Sequence, residues 1–415
     1  MDIIIIGAGI GGLTLALMAH RQGIPVRVFE AAPEIRPIGV GISILPHASR
    51  ELTELGLQAD LERVAVVARE SCFFNRFGQF VYKEPVGTYA GYPWPQFQIH
   101  RGDLQQVLYD AFVAEAGADR VVTGHKCVAV EQDANGATAT FVLADGREEK
   151  VTGAAIVGAD GIHSVVRKIL HPDDGGPIYS GVNMWRGVTV WKPYLTGQSY
   201  MRAGWLSHGK MVIYPIRNDV DGKGSQLINW VAEVETPDHE RQDWNKRGQL
   251  EDFIRYFEDW HFDFLDVPAM IRAADTILEY PMVDKDPLTR WSFGRITLLG
   301  DAAHPMYPRG SNGAGQAILD ARALSNALAA EPDVAAALAA YDGIRVGATA
   351  EVVRTNRTTP PDAILKEVWE RTGDKPFARI EDVMSAEEMA AITNRYKKVA
   401  GYDRQSLEAK QAAAG

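Results

Sequence analysis

A chain of 415 residues has room for two domains and a sizeable core. With 46% hydrophobic and 23% charged residues its composition is that of a globular protein, and a net charge of −11 argues against nucleic acid or an anionic membrane as a partner. Two unspaced cysteines, Cys72 and Cys127, indicate neither a disulfide framework nor a zinc site, and no apolar run is long enough to span a membrane, so neither a metal nor a membrane partner is expected.

The chain opens on Ile3-Ile4-Ile5-Ile6, read as a strand buried on both faces, followed by Gly7-Ala8-Gly9-Ile10-Gly11-Gly12. This is G-x-G-x-x-G. Gly7 allows the tight turn, Gly9 lets a pyrophosphate reach the backbone, and Gly12 lets the next helix pack close. Residues 13–21 continue as that helix, with its N-terminal N–H groups toward the phosphates. A second strand, Pro25–Phe29, ends at Glu30, where a carboxylate accepts from ribose hydroxyls and disfavours a 2′-phosphate. The site therefore suits FAD or NAD better than NADP. Alone it names no reaction, and an NAD-dependent dehydrogenase fits equally well. The apolar start lacks the basic region of a signal peptide, so a cytoplasmic protein is expected.

Residues 31–46 read as a Gly- and Pro-rich loop, in which Gly39 and Gly41 either bring backbone close to a flat ring or serve as plain turn glycines. Residues 47–60 read as helical and 72–97 as short aromatic strands and turns. His100-Arg101 precedes an amphipathic helix, and Arg101 is placed for a phosphate or ribityl oxygen, or for a surface salt bridge. Residues 120–151 read as a three-stranded unit of Val121-Val122, Cys127–Gln132 and Ala137–Leu143. A buried strand then runs into Gly158-Ala159-Asp160-Gly161, with Ser164 as a helix cap. Asp160 and Gly161 would meet the dinucleotide from its other side.

Residues 179–236 alternate as Tyr179–Trp191, Tyr200–Trp205, Lys210–Ile216 and Gln226–Glu235, a separate antiparallel sheet. Trp185, Trp205, Tyr214 and Trp230 either wall an aromatic substrate or pack a core. Residues 244–275 read as helical, and Tyr280–Val283 returns the chain to the first domain. A third buried strand ends in Gly300-Asp301, and a loop with Pro305 and Pro308 leads to a long helix from about Asn312, near Gly313 and Ala314. Asp301 suits a ribityl hydroxyl, and the helix end can stabilise negative charge on a reduced ring. A second helix end on the same cofactor favours FAD over NAD. Thr358–Pro361 breaks the chain, 362–400 reads as helical, and 401–415 as a frayed tail.

The three markers in this order resemble the single-component flavoprotein aromatic hydroxylases, the group of p-hydroxybenzoate and salicylate hydroxylases. The likeness spans roughly residues 1–345 and is strongest to the phenazine-type branch. It implies an α/β fold: a Rossmann-like FAD-binding domain of glutathione-reductase type, an inserted antiparallel-sheet substrate domain and a helical C-terminal segment. The expected division is 1–72, 98–178 and 278–345 for FAD, 73–97 and 179–277 for substrate, and 346–415 for the C-terminal segment. It implies FAD clamped by Glu30, Arg101 and Asp301, with Asp160 serving FAD and transient NAD(P)H. It implies hydroxylation of an aromatic or heteroaromatic substrate, phenazine-like or an aryl carboxylate, by O2 through a flavin C4a-hydroperoxide. Loss of carboxylate is left open, and oligomeric state is not indicated. The loop Pro308-Arg309-Gly310-Ser311-Asn312-Gly313-Ala314 departs from the family's Pro-x-x-Gly-Gln-Gly-x-Asn. That leaves open which backbone groups meet the flavin. Tyr214 is placed to orient or deprotonate substrate, Arg186 to bind a carboxylate or flavin oxygen, and His304 to line the flavin or be structural. The alternative function is an FAD-binding redox protein or NAD(P)H oxidase without hydroxylation.

Overall fold

Ile3–Ile6 is a strand with all four side chains buried, flanked on both sides by parallel neighbours. In this computed structural model, which describes residues 2–37, 39–236 and 247–414, it is the centre of a five-stranded parallel sheet. The strand order is Ile296–Leu298, Ala155–Gly158, Ile3–Ile6, Val26–Phe29, Val121–Val122. The helix Ile10–Arg21 packs against Arg101–Ala116 and the long helix Gly313–Ala330. Its approach to the sheet depends on Gly12, where an added Cβ would lie 2.1 Å from the Gly7 carbonyl oxygen.

The three-stranded unit differs from the sequence expectation. Val121-Val122 pairs in parallel with Val28-Phe29, and the antiparallel unit is Lys126–Gln132, Ala137–Val142 and Glu148–Gly153. Charged alternation hid the last strand, because only Val151 and Gly153 of its six residues are buried.

A seven-stranded sheet carries the second layer. Its order is Ile277–Asp284, Ile178–Trp191, Gln226–Glu235, Lys210–Arg217, Ser199–Gly204, Glu70–Phe74, Phe80–Pro85. All neighbours are antiparallel except Ser199–Gly204 on Glu70–Phe74. Tyr280–Val283 lies in its edge strand, so the chain re-enters the parallel sheet at Ile296 rather than at 278. Trp185 and Trp230 pack on the face away from the parallel sheet, with Phe253 stacked 5.0 Å from Trp185. The expected helix over 244–275 begins outside the described residues. Within them it is broken into Leu250–Phe253, a 3₁₀ turn, a two-stranded hairpin and Val267–Arg272.

The C-terminal part is helical. Val334–Thr358 runs to the break at Pro360, followed by Ala363–Thr372 and Ala386–Ala400, the last opened by a Ser385/Glu388 capping box. Residues 404–414 form a helix instead of a frayed tail. The turn before it is anchored: the Tyr92 hydroxyl donates to the Tyr402 carbonyl at 2.8 Å, and the Tyr402 ring stacks 5.4 Å from His47.

Gly12→Ala forces the helix off the sheet, since its Cβ meets backbone and not a flexible side chain. We expect a loss of about 1–3 kcal/mol or more, the usual cost of overpacking, measured by urea unfolding.

Candidate active site

Strand register brings the site together. Ile6 pairs with Phe29 and Gly158, and Gly158 with Leu298. The residues that follow each strand, Gly7, Glu30, Ala159 and Leu299, therefore emerge at one edge. Gly7 must be glycine there: its φ is +107°, and a Cβ would lie 2.4 Å from the Ala159 carbonyl oxygen.

Between this edge and the seven-stranded sheet lies an open cavity of about 330 Å³. Gly9, Gly41, Arg101, Gly161, Arg186, Tyr214, Asp301, Pro308, Gly313 and Ala314, all expected from sequence, line it. Gly7, Gly12, Glu30, Asp160 and His304 do not line it. Glu30 accepts the Ala8 N–H at 2.8 Å and the Ala32 N–H at 2.9 Å, so each oxygen keeps capacity for a further donor. The Asp160 carboxylate is turned to the following helix. It accepts from the Ser164 hydroxyl at 2.5 Å and the Val165 N–H at 2.7 Å, and burial still pushes its carboxyl above the ordinary range. It shapes the turn that presents Gly161.

His304 is a structural partner under the Gly-Asp turn. Its Nε2 lies 2.5 Å from Asp320, which also accepts the Gly300 N–H at 3.1 Å and Arg345 Nε at 2.7 Å. Burial raises the Asp320 carboxyl, but His304 and Arg345 outweigh that and hold it below the ordinary range. The cluster fixes Gly300 and so places Asp301 at the cavity.

Alternation on the sheet selects the other wall. Met184 and Arg186, Val212 and Tyr214, Val231 and Glu233 face the cavity, while Trp185, Ile213 and Trp230 point away. Two polar members of this sheet wall, Tyr200 and Glu233, are among the lining residues that were not singled out from sequence. Tyr200 stacks on Tyr214 with centroids 4.8 Å apart, and Glu233 is buried beside Lys210 at 2.9 Å. Both strands are buried on both faces, so neither shows the polar–apolar contrast that would have marked them. Lys210 also pairs with Asp362; burial lowers its ammonium, but Asp362 and Glu233 outweigh that and hold it charged. Burial pushes the Tyr214 phenol well up, and the neighbouring Tyr200 adds to this against Arg186. That shift disfavours the phenolate, the form a base would need. Arg186 donates to the Gly41 carbonyl at 3.0 Å, and its buried Nε has no hydrogen-bond partner among the described residues.

The cavity fits a long dinucleotide with its own ring. Gly9 caps the first helix and Asn312 the long one, neither with a side-chain hydrogen bond, and both helix starts line the cavity. Two uncapped positive ends are thus aimed at one ligand. Gly9 leaves open space, with nothing within 4 Å of an added Cβ. Such a site defines an FAD-dependent oxidoreductase.

Comparison with known proteins narrows the class. A family model described as FAD binding domain matches residues 1–356. The chain is 42% identical over 409 residues to phenazine 1,6-dicarboxylic acid hydroxylase PhzS of Lysobacter antibioticus, covering 96% of this chain and 97% of that protein. It is 29% identical to 6-hydroxynicotinate 3-monooxygenase of Pseudomonas fluorescens, covering 90% and 93%. The structure of Klebsiella pneumoniae HpxO complexed with FAD and uric acid matches with a TM-score of 0.77 at 25% identity, over 95% of this chain and 97% of that one. The chain belongs to the FAD-dependent aromatic hydroxylases. Among the described residues, no helix is long and apolar enough to cross a membrane.

Gly9→Ala has a backbone conformation that alanine adopts, at φ −73°, and no internal clash. The apoprotein should melt as wild type does, yet bind FAD at least about tenfold more weakly, because the methyl holds the pyrophosphate off the backbone. Fluorescence titration of apoprotein with FAD measures this; an unchanged affinity would move the pyrophosphate away from this turn.

Proposed function

We propose that the enzyme hydroxylates a phenazine-like aromatic carboxylate, consuming O2 and NAD(P)H. Bound FAD supplies the redox chemistry. The first helix end and Gly9 hold its pyrophosphate, Glu30 its ribose, and Arg101 and Asp301 its middle. The long helix end at Gly313-Ala314 favours negative charge on the ring.

The observation that carries the substrate class is Arg186, which lines the cavity and whose buried Nε has no hydrogen-bond partner among the described residues. A buried charged donor left unpaired is costly, and a substrate carboxylate would satisfy it. The stacked Tyr200–Tyr214 pair offers a flat apolar wall, and Met184, Val212 and Val231 help exclude water from the reacting face. Tyr214, kept protonated, donates a hydrogen bond that orients the ring. The relative named for phenazine 1,6-dicarboxylic acid supports this choice of ring.

The test follows NADH and NADPH oxidation in air with phenazine carboxylates, salicylate and hydroxybenzoates, with peroxide assayed alongside. A phenazine carboxylate should stimulate oxidation strongly with little peroxide. Stoichiometric peroxide with every compound would overturn the substrate and favour an NAD(P)H oxidase. Tyr214→Phe should lower kcat/KM about fivefold, the worth of one neutral hydrogen bond, and raise the peroxide yield. Because the phenol is pushed up and stays neutral, the pH profile from 7 to 9 should be unchanged.

A further inference from the structure

Behind Tyr200 lies a second chamber of about 40 Å³. Ser43, Tyr200 and Ser311 line both spaces, so the two are neighbours across a thin wall. On that wall the Tyr200 hydroxyl and Ser311 Oγ are hydrogen-bonded at 2.8 Å. The chamber holds about three waters at the ~15 Å³ each needs, a space that suits one carboxylate group and not a ring.

Arg202 is buried on its wall. The guanidinium lies 4.4 Å from the Tyr200 ring centroid and 5.1 Å from that of Phe73, and donates to Ser71 Oγ at 2.9 Å. Among the described residues this is its one hydrogen bond, and no carboxylate lies within salt-bridge distance of it. Nearby carboxylates are committed elsewhere. Glu84, also on the wall, is paired with Lys397 at 2.7 Å and accepts from Thr393 at 3.1 Å; Asp362 is paired with Lys210. Ring faces recover part of the cost of burying a cation, and a charged partner would recover more.

We infer that this chamber is a subsite for a second carboxylate on the aromatic substrate, with Arg202 as its counter-ion. The inference rests on the aromatic-carboxylate reading of the main cavity. A substrate carboxylate reaching the wall replaces the Tyr200–Ser311 bond with bonds of its own, and the two spaces become one. The enzyme then discriminates dicarboxylated from monocarboxylated rings by a charged hydrogen bond that only the former can complete.

The experiment uses FAD-loaded enzyme and two probes, phenazine-1-carboxylate and phenazine-1,6-dicarboxylate. Dissociation constants come from the flavin absorbance change, alongside kcat/KM. Wild type should bind the dicarboxylate at least tenfold more tightly. Arg202→Met should weaken the dicarboxylate tenfold or more while the monocarboxylate stays within twofold, and Arg202→Lys should recover part of the loss. Ser71→Asp, which removes no buried volume and supplies Arg202 with an internal partner, should produce the same selective loss and guards against misfolding of the Met variant. Equal binding of both probes by wild type, or an equal effect of the variants on both, overturns the subsite and leaves the main-cavity reading standing. Failure of wild type to bind either probe overturns both.

Discussion

Ile6 pairs in register with Gly158 on one side and Phe29 on the other, and Gly158 with Leu298. Four chain exits therefore leave the parallel sheet side by side, and each carries residues that the sequence marks for the cofactor. The exits are crowded enough that side chains are excluded from the backbone. At Gly7 a Cβ meets the Ala159 carbonyl, and at Gly12 it meets Gly7 itself. A one-residue slip in any strand would turn its buried face to the wrong side and remove its exit from the group. The register is protected by burial: every residue of Ile3–Ile6 and Ala155–Gly158 is inside.

The sheet opposite works by alternation. A strand buried on both sides has two faces to assign, and here one holds a Trp-rich core while the other holds the cavity. Trp230 and Val231 are adjacent in sequence and lie on opposite sides of the sheet. The same rule that places Tyr214 toward the cavity excludes Trp185 and Trp230, the aromatics that draw the eye first.

This difference explains what was legible in the sequence. Glycine motifs are read directly, since their spacing and their missing side chains are the function; Gly9, Gly161, Asp301 and Gly313 all reach the cavity. A strand buried on both faces lacks the polar–apolar contrast that would reveal its inward side. So Tyr200 and Glu233 were passed over, while Trp185 was entertained. His304 shows a further limit. It follows Gly-Asp in sequence, yet Asp320, sixteen residues on, captures it below the turn. No local pattern records that pairing.

Buried charge links the cavity to the C-terminal helices. Glu233 on the substrate wall binds Lys210, and Lys210 binds Asp362, the residue that precedes the helix Ala363–Thr372. Removing any one member strands the others inside the protein, which is far costlier than the net gain of the pairs. The wall of the substrate cavity is therefore fixed partly by a segment remote from it in sequence. The anchored turn at Tyr402 acts on the same side, since Tyr402 lines the smaller chamber together with Arg202. An FAD-binding core of parallel strands supplies the reaction. Part of the cavity wall is set where the sheet and the C-terminal helices meet.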